Sequence, residues 1–164
     1  MAKRRVFYSF YYKEDVLRVA QIKNIGAIEG NKAAYENQWE EIKRKGDSSI
    51  KQWIDENMEN RTCLIVLVGK ETSERKWVKY EIEKAWNDGR GVVGIYIHNI
   101  NDPKLGKSSK GKNPFEQFDI SNKNINLSKV VKCYNPNRYD AYNDIRNNLE
   151  LWIEEAITIR KQFK

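Results

Sequence analysis

The sequence predicts an α/β fold with a central parallel sheet of four or five strands. Three observations favour this fold. Four short runs of strand-forming residues are bounded by turn residues, helical patterns lie between the runs, and the run at 62–68 is apolar until Gly69 ends it. Strands that alternate with helices pair in parallel through right-handed crossovers.

The predicted strands follow from composition and flanking turns. They span residues 5–10, 62–68, 92–97 and 129–134, and a weak fifth segment spans 26–29. The run at 62–68 lacks polar alternation, which indicates a strand buried on both faces. The helix that follows it begins at the carboxyl end of the sheet, where open α/β sheets bind ligands.

Helical periodicity fills the gaps between the strands. The predicted helices span residues 15–25, 32–45, a segment capped at Asp47 or Ser48 that reaches Met58, then 73–88 and 139–163. Thr72 and Ser73 are candidate caps for the fourth helix, and Gly89 can end it in a left-handed conformation. The last helix carries a stripe formed by Tyr142, Ile145, Leu149, Trp152, Ile153 and Ala156.

Length and composition indicate a soluble protein. We expect one domain over residues 1–164, in which residues 119–164 add a strand and a long helix. No apolar run approaches the length of a membrane span, and residues 6–12 are too short and polar for a signal peptide. Cys63 and Cys133 lie in strand-like runs, which suggests buried thiols in a reducing cytoplasm.

The charge pattern and the single histidine exclude several classes of function. The net charge is +7, but the basic residues are scattered, so we expect attraction for a phosphorylated metabolite and no nucleic-acid partner. His98 is the only histidine, and the two cysteines are far apart in sequence, so no metal site is expected. Glycines 89, 91 and 94 match a dinucleotide fingerprint, but they end a helix where that fingerprint must start one.

The segment 101–114 is a loop rich in glycine, serine and lysine. It carries Lys104, Lys107, Lys110 and Lys112. One interpretation is a solvated connection, and the other is a loop that attracts phosphate or docks a partner, because loops of this length are often functional. The sequence leaves both open.

Glu81 is the candidate catalytic residue. Helical periodicity places Val78 at the centre of the apolar stripe and Glu81 at its border, where a carboxylate can line a cleft. Trp77 lies one turn earlier on the same side. The alternative is an ordinary boundary carboxylate that pairs with Lys84 or a neighbouring helix.

The first strand and helix bring further candidates to the same end of the sheet. Ser9 supplies a hydroxyl, Phe10 and Tyr11 supply rings, and Arg18 follows on the first helix. A dinucleotide would use such groups, because rings stack on bases, arginine holds phosphates and a carboxylate binds ribose hydroxyls. For some of these aromatic residues, plain core packing is the alternative.

These residues give the chain a resemblance to bacterial TIR domains, and more closely to the TIR-like proteins of Thoeris anti-phage systems, the ThsB type. The most specific segment is 61–81, where a strand, a polar turn and Trp77-Val78-x-x-Glu81 recur in order. The other matching segments are 5–10, 15–18, Trp39-Glu40 and 92–118, which includes Asn113-Pro114-Phe115.

The resemblance implies a flavodoxin-like, three-layer fold with helices on both faces of the sheet. It also implies a catalytic Glu81 and an enzyme of the NAD+ nucleosidase or ADP-ribosyl cyclase type. NAD+ would be a substrate and no cofactor would be needed. The product would be a signalling nucleotide, such as a cyclic ADP-ribose isomer, that activates a separate effector protein during phage infection. A homo-oligomer would help to close the site.

Two other hypotheses remain open. The chain could be a non-catalytic TIR-like interaction module that docks a partner through the last helix, near Trp152 and Ile159. It could also be an enzyme similar to nucleoside deoxyribosyltransferases, which use a carboxylate against a glycosidic bond. Turnover of NAD+ with and without a Glu81 substitution separates the NAD+-consuming enzyme from the interaction module. Base exchange with deoxynucleosides would detect the deoxyribosyltransferase-like enzyme.

Overall fold

A computed structural model describes residues 4–25, 28–30, 41–121 and 123–163. The strands in these residues are β1 (Arg4–Ser9), β2 (Ile28–Gly30), β3 (Cys63–Val68), β4 (Gly91–Tyr96), β5 (Asp119–Ile120), β6 (Ile125–Asn126) and β7 (Cys133–Tyr134). Five of them form one parallel sheet in the order β2-β1-β3-β4-β7, and β5 and β6 form a separate antiparallel pair. The predicted parallel sheet is confirmed.

Four longer helices and three short 3₁₀ helices accompany the strands in the described part of the chain. The α-helices are α1 (Tyr12–Lys23), α2 (Asp47–Met58), α3 (Lys76–Asn87) and α4 (Ala141–Lys161). The 3₁₀ helices span Thr72–Glu74, Pro114–Gln117 and Leu127–Lys129. Residues 41–44 are also helical and Lys45 lies in a turn, whereas residues 32–40 of the predicted helix 32–45, with Trp39 and Glu40, lie outside the described residues.

Helices cover both faces of the sheet and create two hydrophobic cores. On one face α1 and α4 pack on the sheet through residues such as Ile22 and Leu149. On the other face α2 and α3 pack through residues such as Ile54 and Ile82. All of β3 is buried between these layers, as its apolar composition predicts. The three-layer, flavodoxin-like α/β prediction is confirmed.

The last helix packs on the sheet through the predicted stripe. Its buried residues are Ala141, Ile145, Leu149, Trp152, Ile153 and Ala156. The Trp152 ring also stacks on Tyr134 of β7 at a centroid distance of 4.3 Å. None of the helices in the described ranges is long and apolar enough to cross a membrane.

Three predicted boundaries need correction. The predicted strand at 129–134 is reduced to Cys133–Tyr134, because Asn126 accepts a hydrogen bond from the Ser128 amide and starts a 3₁₀ turn there. Thr72 and Ser73 lie in a separate 3₁₀ turn and do not cap α3, whose N-cap is Arg75. Gly46, rather than Asp47 or Ser48, precedes α2 as its N-cap.

Candidate functional site

The Glu81 side chain lies buried at the carboxyl end of the sheet. The residue is only 7% exposed and belongs to the second turn of α3. The hydroxyl of Ser9, the last residue of β1, donates a 2.9 Å hydrogen bond to Glu81 Oε1. The predicted meeting of α3 and the end of β1 at one edge of the sheet is confirmed, and this contact joins two of the predicted site residues.

The surroundings of Glu81 favour the neutral acid in the unliganded protein. Burial raises the pKa of the Glu81 carboxyl to about 8, and the hydrogen bond from Ser9 opposes that rise only in part. Within the described residues no Lys, Arg or His forms an ion pair with this carboxyl, and the alternative partner Lys84 pairs instead with Asp55 and Asp88. A positive charge brought next to such a carboxyl group would strongly stabilise its ionised form and lower its pKa.

The predicted aromatic residues surround this edge on both sides. Phe10 packs against the core on the α1 and α4 face, and its ring lies 6.3 Å from that of Tyr12. Trp77 packs at the margin of the opposite core, and its ring meets Tyr80 edge-on at 5.8 Å. Both residues are partly exposed.

Arg18 occupies a buried position with protein partners on all sides of its guanidinium. Nη1 donates to Asp15 Oδ1 at 3.0 Å, Nε donates to the Ile100 carbonyl at 3.1 Å, and Nη2 donates to the Gly106 carbonyl at 2.9 Å. These contacts attach the loop after β4 to α1. The predicted phosphate-binding role of Arg18 stays a prediction, and it would require Arg18 to exchange one of these bonds.

The lysine-rich loop is held against the sheet edge. Gly111 approaches the end of β3 so closely that a Cβ at that position would lie 2.1 Å from the Gly69 carbonyl oxygen. Lys110 Nζ lies 4.6 Å from the centre of the Tyr96 ring, and Lys107 donates to the Arg138 carbonyl at 2.6 Å. Lys107 and Lys110 are exposed and also contact neighbouring segments, so both interpretations of the loop stay predictions.

Metal-ligand clusters are not evident in the described residues, where no group of three His, Cys, Asp or Glu side chains converges. His98 is buried at the end of β4, and its Nδ1 has no hydrogen-bond partner there. Burial, followed by the nearby Lys110 charge, lowers the pKa of His98. His98 therefore favours its neutral form.

Sequence reasoning missed Arg75, which lies directly before α3. Its guanidinium carbon is 4.4 Å from the centre of the Tyr11 ring, and its Nε is buried without a hydrogen-bond partner among the described residues. A signal was available, because Arg75 begins the same segment that contains Trp77 and Glu81. The long-range contact with Tyr11 required the fold.

Two comparisons with known proteins match the same region. The family described as Thoeris protein ThsB, TIR-like domain, matches residues 7–102, a range that contains all of the predicted site residues. The chain is also 31% identical over 154 residues to a Bacillus cereus (strain MSX-D12) protein named "Putative cyclic ADP-D-ribose synthase ThsB1". That match covers 88% of this chain and 78% of the relative.

Proposed function

We propose that this chain, which belongs to the ThsB family of TIR-like Thoeris proteins, breaks the bond between nicotinamide and ribose in NAD+ and forms a signalling nucleotide. The observation that carries the proposal is the buried Glu81 carboxyl, whose hydrogen-bond partner among the described side chains is the Ser9 hydroxyl. A buried acid that lacks a positively charged partner in the protein suits a substrate that carries a positive charge. The nicotinamide ring of NAD+ is cationic, and positive charge moves to the ribose as that ring leaves.

Glu81 would stabilise the transition state as a carboxylate. Substrate binding would bring the cationic ring close, lower the raised pKa of Glu81 and release its proton. As the bond breaks, its electron pair leaves with nicotinamide and the ribose gains oxocarbenium character, as in glycoside cleavage. The buried carboxylate can then stabilise this charge strongly, because little water screens it.

The same residue could accept the proton of the attacking group. Nicotinamide leaves as a neutral molecule and needs no general acid. A hydroxyl of the adenosine ribose would attack the cationic ribose carbon to give a cyclic product, whereas attack by water would give ADP-ribose. Either nucleophile loses a proton as its attack neutralises the positive charge on the ribose, so the pKa of Glu81 rises again and its carboxylate can take up that proton.

The product would act beyond this protein. We expect a cyclic ADP-ribose isomer or a related nucleotide to diffuse to a separate effector, in keeping with the activity named for the Bacillus cereus relative. Exclusion of water would favour the cyclic product over ADP-ribose. A second copy of the chain over the site would provide such exclusion.

The first prediction concerns Glu81→Gln, which preserves shape and removes the charge. We expect a loss of about a thousandfold or more in NAD+ conversion, because several kcal/mol of transition-state stabilisation disappear. Mass spectrometry of nucleotides from purified protein, and from phage-infected cells that express it, measures the product.

Glu83→Gln is the matched control, since Glu83 lies two positions further along α3 and is exposed. Circular dichroism must show that both variants remain folded. Conversion by Glu81→Gln at the rate of Glu83→Gln would remove Glu81 from the chemistry.

A non-catalytic interaction module is the second candidate, and one surface feature favours it. Leu151 of α4 is 57% exposed and lines a shallow groove of about 350 Å³ with Lys132 and Ile159. The predicted docking residue Trp152 is buried against Tyr134, so only the Ile159 side of the helix is available. Full anti-phage protection by the Glu81→Gln variant would favour this candidate over the enzyme.

A further inference from the structure

The dinucleotide of the proposed reaction carries a diphosphate, and its binding needs a cation close to Glu81. Arg18 was the predicted residue, but it already bonds Asp15 and the carbonyls of Ile100 and Gly106. Its side chain is 3% exposed, so a ligand has little access to it. Another cation must therefore be considered.

Arg75 has the required geometry. Its guanidinium carbon lies over the Tyr11 ring, 4.4 Å from the ring centre, so the ring restrains the position of the group without occupying a hydrogen-bond donor in the plane of the ring. The side chain is 37% exposed, and Nε has no hydrogen-bond partner in the described part of the chain. Among the described residues, the nearest carboxylate is that of Glu74, whose Oε2 lies 3.8 Å from Arg75 Nη2, beyond hydrogen-bond distance.

The backbone places this pair beside the reacting group. Tyr11 follows Ser9 by two residues, and Ser9 bonds Glu81. Arg75 precedes Glu81 by six residues at the start of the same helix, roughly 9 Å along the helix axis at 1.5 Å per residue. The diphosphate of NAD+ is one sugar and one CH₂–O group away from the bond that breaks, a separation of the same order as this rise along the helix.

The local field also favours an anion at Arg75. The first turn of α3 contains no acidic residue, and the N-cap side chain makes no capping hydrogen bond to its N–H groups. The amino end of a helix carries partial positive charge that adds to the guanidinium charge. Helix and guanidinium together thus attract a negative group, with Arg75 as the specific donor.

We infer that Arg75, held by the Tyr11 ring, binds the diphosphate of the dinucleotide whose ribose Glu81 holds. This inference deepens the proposed function and rests on it for the identity of the substrate. Arg75 is then a binding residue. Tyr11 is a positioning residue that acts through Arg75.

Binding of ADP-ribose tests the subsite apart from the chemistry, because ADP-ribose has the diphosphate but no nicotinamide. Calorimetry on Arg75→Gln should give a Kd at least about tenfold weaker than the wild type, since a charged hydrogen bond is lost. Arg75→Lys keeps the charge but not the planar fork, so its Kd should lie between the two. Arg146→Gln is the control, because it removes the same charge from an exposed position on α4, on the opposite face of the sheet.

The Tyr11 variants separate positioning from mere packing. Tyr11→Phe keeps the ring under the guanidinium and should bind ADP-ribose like the wild type. Tyr11→Leu removes the ring and should weaken binding severalfold.

In turnover assays, Arg75→Gln should raise KM for NAD+ about tenfold with a smaller change in kcat.

The outcomes distinguish the two proposals. Wild-type protein that binds ADP-ribose through Arg75 but does not convert NAD+ would keep the subsite and reject the enzyme. Conversion of NAD+ with an unchanged KM in folded Arg75→Gln would reject the subsite and keep the enzyme. An absence of both binding and conversion in the wild type would overturn both proposals.

Discussion

Asp15 and Glu81 are buried carboxylic acids at the carboxyl end of the sheet, and their partners differ. Asp15 on α1 has the guanidinium of Arg18 at 3.0 Å. Among the described side chains, Glu81 on α3 has only the neutral hydroxyl of Ser9, at 2.9 Å. Burial raises both pKa values, to about 6 for Asp15, where Arg18 opposes the rise, and to about 8 for Glu81.

This difference in partners gives Asp15 a structural role and leaves Glu81 as the candidate for chemistry. Asp15 and Arg18 neutralise each other, and Arg18 attaches α1 to the loop after β4 through carbonyl contacts. Glu81 makes no comparable attachment within the described ranges, so its carboxyl group remains available for a ligand. Substitutions at the two positions should therefore affect different properties, namely stability at one and chemistry at the other.

The largest expected effect tests the architectural pair. Arg18→Met should lower the free energy of unfolding by roughly 3–5 kcal/mol, because it leaves Asp15 buried without its cation. The loss should be smaller at pH 5 than at pH 8, since protonation of Asp15 removes the unpaired charge. Urea denaturation at both pH values measures it.

The double variant Asp15→Asn/Arg18→Met sharpens this test. Because it removes the stranded charge, its loss of stability at pH 8 should be smaller than that of Arg18→Met alone. Equal losses would mean that the pair is not electrostatically coupled, and the contrast with Glu81 would then fail.

A smaller effect is expected on the stability of Glu81→Gln. The folded protein holds the Glu81 proton up to about pH 8, whereas the unfolded chain releases it near the ordinary pKa of 4.5. The free energy of unfolding of the wild-type protein therefore falls as pH rises between these values, by at most about 1.4 kcal/mol per pH unit. Glutamine does not titrate, so the stability of the variant relative to the wild type should increase by roughly 3.5 kcal/mol from pH 5 to pH 8.

Urea denaturation across that pH range measures the difference, with Glu83→Gln as the exposed control. Asp15 is present in both proteins, so its own titration cancels in the comparison. A Glu81→Gln curve parallel to that of the wild type would show that Glu81 is ionised throughout, against the assignment of a neutral resting acid.

The smallest effect concerns Ser9→Ala. Its hydroxyl opposes the rise in the pKa of Glu81, so its removal should raise that pKa by about half to one unit, as expected for one hydrogen bond. If the carboxylate is the active form, kcat/KM for NAD+ should increase with pH through this pKa. This rising limb of the pH profile should shift to higher pH in Ser9→Ala.

A pH profile of kcat/KM tests this, with Ser48→Ala as the control because Ser48 is exposed on α2. A limb that stays in place would assign the titration to another group. A lower kcat in addition to that result would leave Ser9 a role in orientation alone.

Much of this edge could be predicted from sequence because it depends on local periodicity. The border position of Glu81 follows from the apolar stripe of α3, and the arrival of Ser9 at the same edge follows from the parallel sheet. The close Ser9–Glu81 contact matches both expectations. The unbroken apolar run of β3 also predicted its burial correctly.

Contacts between distant segments could not be predicted. Asp15 and Arg18 have a spacing that allows a pair within one helix, but the carbonyls of Ile100 and Gly106 reach Arg18 only in the fold. The stacking of Arg75 on Tyr11 likewise joins residues far apart in the chain. A helical pattern assigns a side chain to a face, whereas its partner depends on packing.

The neutral resting state of Glu81 has a calorimetric consequence. If the cationic substrate must find a carboxylate, each binding event expels a proton into the buffer below about pH 8. The observed heat of NAD+ binding would then change with the ionisation enthalpy of the buffer. The slope of that dependence would count the protons released before any bond is broken.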